Sequence, residues 1–288
     1  MDICHLQAFV EVAEQGSFSL AAEALHLTQP AVSKRVAALE SELDTRLFDR
    51  IGRRISLTEG GRQLLPRARR MLDEAADIRR TLASQTNRVA GTLVMGTSHH
   101  IGLHRLPPIL RTFSRRYPEV RLDIRFMGSE SACAAVEQGR LELGVVTLPT
   151  RPSPRLELTA LWDDPLYFVA GREHPLARSP RPGLETLARY PAVLPGVGTY
   201  TRGILEQALE PFGIQVQTGM STNYLETLKM LVSIGLGWSL LPGTLAKGPE
   251  LQILEIRELS LSRTLGIVRH RQRTLSNAAR AMLEACQV

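Results

Sequence analysis

Gln29, Ser33 and Ala37 recur at i, i+4 and i+8, with Pro30 and Lys34 beside them. Short amide and hydroxyl side chains with one cation form a narrow polar strip that suits hydrogen bonding to base edges. A second set of groups suits a different chemistry. Thr97-Ser98-His99, Gly128-Ser129, Thr147 and Gly198-Thr199-Tyr200 each follow an apolar run that reads as a strand. In α/β sheets the C-terminal ends of strands hold ligands, and the helices that follow aim their N-termini there. These hydroxyls and backbone N–H groups, with no carboxylate among them, suit a small anion or carboxylate. The alternative is that each Ser or Thr only caps its own helix. A third set, His99, His100 and His104, invites a metal reading. No Cys, Asp or Glu lies near them at ligand spacing, so we expect no metal and read them as solvated or anion-contacting imidazoles. Gly235-Leu236-Gly237 follows a helix and is not a dinucleotide-binding turn; there is no nucleophile elbow and no HExxH. No paired acid and base can be placed at a strand end, so we expect neither a catalytic residue nor a cofactor.

The elements that must hold the polar strip are legible in the apolar spacing. Residues 2–14 read as a helix with Ile3, Leu6, Phe9, Val10 and Ala13 on one face, ended by Gly16. Leu20, Ala21, Ala24 and Leu25 share a face of a second helix, with Ser19 placed to cap it. After a break at His26-Leu27-Thr28, Val32, Val36, Leu39 and Leu43 form the apolar stripe of a third, with Thr28 as cap and Pro30 in the first turn. Two helices about a tight turn, the second showing polar groups at its start, describe a helix-turn-helix that enters a major groove, against the alternative of a plain helical hairpin. Residues 49–57 read as a small hairpin with Gly52 at its tip and Arg50, Arg53 and Arg54 around the turn. Guanidinium groups suit phosphate oxygens, so this wing would straddle the nucleic-acid backbone; the alternative is a solvated Arg-rich loop.

Thr58 then caps a helix to about Thr86, in which Leu64, Ala68, Met71, Ala75, Ile78 and Leu82 keep a 4-3-4-3-4 spacing. Such a seam needs a partner helix, and the same helix of a second chain is the simplest; the alternative is packing back on its own domain. Ser84–Ala90 breaks the heptad and reads as a hinge. Beyond it strands alternate with helices, which indicates an α/β sheet covered on both faces.

Composition fits this division. The 288 residues allow two domains, and 43% hydrophobic with 22% charged residues is ordinary for a soluble globular protein. The net charge is +6, yet residues 1–90 hold 13 Lys+Arg against 12 Asp+Glu. The excess is local: residues 46–70 carry eight Arg against Asp49 and Glu59, as a phosphate-facing patch requires. Cys4, Cys133 and Cys286 are far apart and in no C-x-x-C pair, so they read as free thiols of a reducing compartment, with a redox role for Cys133 the less expected reading. No basic n-region precedes an apolar run and no stretch reaches membrane-span length, so we expect a cytoplasmic protein without membrane partners.

With these residues in view, the chain resembles the LysR-type transcriptional regulators along its whole length. The match rests on Leu6-x-x-Phe9, Gly16-Ser17-Phe18-Ser19-x-Ala21-Ala22-x-x-Leu25, Thr28-Gln29-Pro30-Ala31-Val32-Ser33, Leu39-Glu40-x-x-Leu43, Leu47-Phe48-x-Arg50 and Leu57-Thr58-x-x-Gly61, with looser matches at His174-Pro175-Leu176 and Gly235-x-Gly237. The chain departs from the family pattern at Glu142 and at Lys34. The resemblance implies an α plus α/β fold: a winged helix-turn-helix over 1–58, a dimerising linker helix and hinge over 59–90, and an effector domain over 91–288. That domain would have two lobes like a periplasmic binding protein, 91–160 with 266–288 and 161–265. It implies double-stranded DNA as partner, read by Gln29 and Ser33, with Thr28 and Pro30 at the contact, Lys34 and Arg35 on bases or phosphates, and Arg50, Arg53 and Arg54 on the wing. It further implies a small, anionic effector between the lobes, a homodimer through the linker helix assembled into a homotetramer, and RNA polymerase as a further contact. An enzyme fused to a DNA-binding domain and a pure interaction scaffold are the competing classes. Turnover of a bound small molecule would mark the first, and indifference to small molecules the second.

Overall fold

The structure, a computed structural model, describes residues 2–51, 54–83, 88–178 and 181–287; the side chains of residues 50, 51, 54, 73, 76, 77 and 79–83 are outside the description. It divides into two compact units, Met1–Gln85 and Thr86–Val288. Gly52 and Arg53 of the wing turn, the first half of the expected hinge and the Leu82 side chain lie outside the described residues.

In the first unit, helices α1 (Ile3–Gln15), α2 (Phe18–Ala24) and α3 (Gln29–Glu42) precede a hairpin of β1 (Phe48–Ile51) and β2 (Arg54–Leu57), and helix α4 (Glu59–Ala83) follows. Their core gathers Leu6, Phe9 and Val12 of α1, Phe18 and Ala21 of α2, Val32, Val36 and Leu39 of α3, and Phe48. The local signals that end and start these helices differ in part from expectation. Gly16, at φ 62°, closes α1 as expected. The cap of α2 is Ser17, whose hydroxyl accepts from Leu20 N, and not Ser19. A seven-residue helix has room for one buried face, and Phe18, Ala21 and Ala22 take it, leaving Leu20 49% exposed. Thr28 stands at the α3 cap position without a side-chain capping bond, and Leu43 is exposed because the helix ends at Glu42.

Helix α4 corrects the expectation of a seam facing outward along its length. Ala68 is fully buried in the core of its own unit, with Leu64, Leu65 and Leu72 packed against that core and Arg69 bridged to Glu14 at 2.9 Å. Only further along do Met71 (46%) and Ile78 (54%) stand exposed. The Thr58 hydroxyl accepts from Gly61 N at 3.0 Å and so caps α4. At Gly61 an added Cβ would come within 2.2 Å of the Leu47 carbonyl oxygen, so only glycine lets the helix start this close to the wing.

The second unit is built on a nine-stranded mixed sheet. Its strands are β3 (Gly91–Thr97), β4 (Val120–Phe126), β5 (Leu143–Thr147), β6 (Leu156–Gly171), β7 (Ala192–Leu194), β8 (Thr218–Ser221), β9 (Trp238–Pro242), β10 (Leu251–Leu254) and β11 (Leu261–His270). Their order is β4-β3-β5-β11-β6-β9-β7-β8, with β10 also on β6. Helices α5 (His99–His104), α6 (Leu106–Arg116), α7 (Ser129–Glu137) and α12 (Asn277–Gln287) accompany the first strands; α8 (Leu184–Ala188), α9 (Tyr200–Leu209), α10 (Leu225–Ser233) and α11 (Gly243–Ala246) accompany the others. Separate cores form at the two ends of the sheet, one around Leu93, Met95, Phe113, Ile267 and Met282, the other around Phe168, Leu194, Leu205 and Trp238. Among the described residues, only β6, 16 residues long, and β11 run from one end to the other. Their pairing slips by one residue at Leu265/Gly266 opposite Leu161, a bulge on the edge of the first core.

Candidate functional site

On α3 the buried stripe Val32, Val36 and Leu39 turns the opposite face outward. Gln29, Pro30, Lys34 and Ala37 are exposed, as is Thr28, while Ser33 and Arg35 are half-buried. Glu40 accepts from the backbone N–H groups of Leu47 at 2.7 Å and Phe48 at 3.3 Å, which fixes the wing to the C-terminal part of the same helix. The hairpin is antiparallel, with Arg50 opposite Ile55 and Arg54 opposite Ile51. The structure thus joins a polar helix face and an Arg-bearing hairpin in one unit, although the Arg50 and Arg54 side chains and all of Arg53 lie outside the described residues.

In the second unit, Ser98, His99, Gly128, Ser129, Thr147 and Thr199 line one cavity of about 60 Å³. Four strand ends, far apart in sequence, do meet. Two of the expected residues are turned elsewhere. The Thr97 hydroxyl is fully buried and donates to the Val145 carbonyl at 2.8 Å, so it belongs to the sheet. The Tyr200 ring packs on the core around Val136, and its hydroxyl is hydrogen-bonded to Cys133. Burial, with that bond, pushes the tyrosine well above its ordinary range, and burial raises the Cys133 thiol as well.

Several of the hydroxyls are occupied by caps and cross-links. The Thr199 side chain donates to the Gly196 carbonyl at 2.8 Å and accepts from Arg202 N. Ser129 Oγ accepts from Thr147 N at 3.1 Å. Ser98 makes no side-chain capping bond at the start of α5.

The cavity also holds groups that the strand-end rule does not reach. The expectation of a lining without carboxylate is overturned by Glu130, whose Oε1 accepts from Tyr200 N at 2.5 Å and so sits on the N-terminus of α9. Arg263, only 6% exposed, lines the cavity too. Its Nε donates to Asp164 Oδ2 at 2.8 Å and its Nη1 to Thr201 Oγ1 at 3.0 Å, while Nη2 is buried without a hydrogen-bond partner. Burial lowers the guanidinium's pKa and Asp164 opposes the shift. Arg263, with Ser262 and Thr264 between the apolar Leu261 and Leu265, was the signal the sequence carried; Glu130, in the first turn of α7, carried none.

The histidines separate into distinct environments. His99 is exposed and lies between Phe126 and Tyr224, ring centroids 5.2 Å and 4.9 Å away. His100 is 3% exposed, which corrects the expectation of a solvated ring. Its Nε2 meets the Thr244 hydroxyl at 3.2 Å. Burial first, then the charges of Arg263 and His104, hold His100 down to about 4, against the pull of Glu226. Glu226 is the carboxylate that spacing could not supply: it reaches His104 Nε2 at 3.2 Å from 122 positions along the chain.

Residues 3–62 match the family model described as bacterial regulatory helix-turn-helix protein, lysR family, and residues 86–288 match that of the LysR substrate binding domain. An uncharacterized HTH-type transcriptional regulator, YeiE of Escherichia coli, is 32% identical over 286 residues, 98% of this chain and 95% of that protein. A further uncharacterized regulator, from the ibpB-leuC intergenic region of Azotobacter vinelandii, is 63% identical over 108 residues, 38% of this chain and 75% of its own length. Among solved structures, a full-length OxyR variant of Pseudomonas aeruginosa superposes with TM-score 0.74 at 24% identity, over 100% of this chain and 95% of that one. Full-length CbnR in complex with its target DNA does so with TM-score 0.66 at 21% identity, over 100% and 98% of the two chains.

Proposed function

We propose a switching mechanism for this chain, which belongs to the LysR-type family of transcriptional regulators. As a member it is a DNA-binding regulator with an effector-binding domain. Our reading goes further in two respects. On the DNA side, Gln29 and Ser33 read base edges in the major groove, Thr28 and Pro30 set the approach of the helix start, and Lys34 and Arg35 reach bases or phosphates. Arg50, Arg53 and Arg54 grip the backbone from the wing. The exposed end of α4 pairs with its copy, and dimers associate into a tetramer, so specificity comes from two half-sites and their spacing. The outward-turned strip of α3 supports this reading. Ser33→Ala should cut the preference for operator over random DNA by roughly tenfold, about 1.4 kcal/mol of direct readout. Arg35→Ala should weaken both alike and flatten the salt dependence. Unchanged operator preference in Ser33→Ala would remove α3 as the reading helix.

On the effector side, a small anion sits in the cavity between the two ends of the sheet, held by Arg263 with Ser98, Ser129, Thr147 and Thr199 about it. The observation that carries this is Nη2 of Arg263, a buried cationic donor without a partner at the cavity wall. An unsatisfied buried charge-bearing donor costs free energy that an anion would recover. The volume of about 60 Å³ limits the ligand to a few heavy atoms, far below the ~300 Å³ at which drug-sized pockets begin. Thermal shifts of the full chain against small oxyanions, short carboxylates and their neutral amides test it. The anions should stabilise the protein and the amides should not. Arg263→Lys, which keeps a charge for Asp164 but loses the fork, should lose at least tenfold in anion affinity. Equal response to amides and anions would discard the anionic reading while leaving DNA binding intact.

A further inference from the structure

We propose that His100, His104 and Glu226 form a binding site for a divalent transition-metal ion of the zinc class, an ion that ties α5 to α10. The two imidazoles project from one face of α5 at i and i+4, and Glu226 faces them from the first turn of α10. One ligand atom from each of the three lies within 4.8 Å of the others. Glu226 Oε1 stands 3.7 Å from His100 Nδ1 and 3.2 Å from His104 Nε2. Two donors bound to one tetrahedral ion at bond lengths near 2.0–2.2 Å are roughly 3.3–3.5 Å apart, so both edges match with small adjustment.

The buried imidazole makes the stronger case. His100 Nδ1 has no hydrogen-bond partner, and 3.7 Å to a carboxylate oxygen is too long to count as one. The Thr244 hydroxyl meets Nε2, the other ring nitrogen, as the outer partner of a metal-bound histidine does, and it holds Nδ1 toward Glu226. A cation between them would satisfy the buried His100 Nδ1 lone pair and the Glu226 carboxylate at once. Two imidazoles and one carboxylate favour zinc and its neighbours over calcium or magnesium, which prefer oxygen donors. The side chains of His104 and Glu226 are 33% and 39% exposed, so water can enter as the fourth ligand. Arg263 is the opposing charge nearby, and Asp164 at 2.8 Å offsets it.

The site joins two separate cores. Ile101 of α5 belongs to the first and Leu228 of α10 is buried with Val169 and Leu241 at the other end of the sheet. Metal binding therefore favours whichever arrangement keeps α5 against α10, in proportion to its preference for that state. His100 also lines the cavity of Arg263, and the metal needs no anion there to bind.

The test uses the untagged full chain carrying Cys4→Ser, which removes the exposed thiol as a competing ligand. After stripping with a chelator, the protein is dialysed against zinc chloride and its metal content measured by elemental analysis. One zinc per chain is expected. Glu226→Gln and His104→Gln, both at solvent-accessible positions, should each weaken zinc at least tenfold while leaving the metal-free melting temperature unchanged. Thr244→Val should weaken it by about ten- to a hundredfold, the usual effect of losing an outer partner. Cobalt(II) should give the visible spectrum of a four-coordinate nitrogen–oxygen site in the parent and not in Glu226→Gln. No zinc retained by the parent, or equal zinc retained by parent and Glu226→Gln, overturns the proposal.

Discussion

Glu130 and Arg263 place opposite charges on one small cavity, and the balance between them decides what the cavity accepts. Glu130 holds the N-terminus of α9 through Tyr200 N, a position that an anionic ligand would otherwise compete for. Glu130→Gln keeps a hydrogen-bond acceptor there and removes the charge. It should raise the affinity for small anions about fivefold, the scale of the roughly 1 kcal/mol that one screened charge exerts at ~4 Å; titration calorimetry reads it directly. The cysteines allow a second prediction. Cys4 is exposed, whereas Cys133 and Cys286 are buried, the latter's thiol pushed up to about 11 by burial. Iodoacetamide should label Cys4 in the native protein, and Cys133 and Cys286 only after denaturation, as mass spectrometry of digests would show. The redox role once conceivable for Cys133 finds a thiol that is less reactive than a free one. At this scale the sequence was informative where one helix carried the pattern, as with Gln29, Ser33 and Lys34. It was silent on Glu226, because nothing within ten residues of His104 announces a carboxylate that arrives from another helix.

Helix α4 shows how one apolar spacing can serve two partners. A heptad pattern records which residues avoid water and leaves open what covers them. Leu64 and Ala68 are covered by α1 and its neighbours, and Met71 and Ile78 are left for another surface. Ile78→Asp should convert dimers to monomers in sedimentation experiments and keep the far-ultraviolet helix signal. Operator affinity should then fall by about a hundredfold or more, as expected when two linked half-sites become one. Gly61→Ala should instead destabilise the first unit by about 1–3 kcal/mol in chemical denaturation, because its Cβ meets a backbone carbonyl and not a yielding side chain. The helices themselves were readable from periodicity; α2 was misjudged in its cap and face since seven residues hold too few repeats to fix a phase. Glu142, a departure from the family pattern, accepts from Ser276 N at 2.6 Å and anchors the start of α12.

For the molecule as a whole, the joint between the two cores of the second unit is the part that sequence periodicity could not locate. Strands β6 and β11 cross it with polar residues, Asp163-Asp164-Pro165 opposite Ser262-Arg263-Thr264, and their pairing shows the bulge at Leu161 on the first core's side. Gly266 lies beside it, where an added Cβ would come within 2.2 Å of the Thr159 carbonyl oxygen and 2.9 Å of Leu148. Gly266→Ala should lower the melting temperature of the effector domain by several degrees and leave that of the first unit unchanged, seen as two separated calorimetric transitions. The position of β11 has one more consequence. It lies at the centre of the sheet, between β5 and β6, yet it is among the last segments to leave the ribosome. The helices and hairpin of the first unit are complete by Ala83, so at ~5–20 residues per second some 10–40 s separate them from the strand that closes the second unit. A nonsense codon anywhere in that interval yields a product that still carries the α3 face and α4 but has no finished sensor. Such alleles, expressed beside the full chain, should behave as dominant negatives in an operator-reporter assay, because their products occupy operators without a sensor to answer an effector.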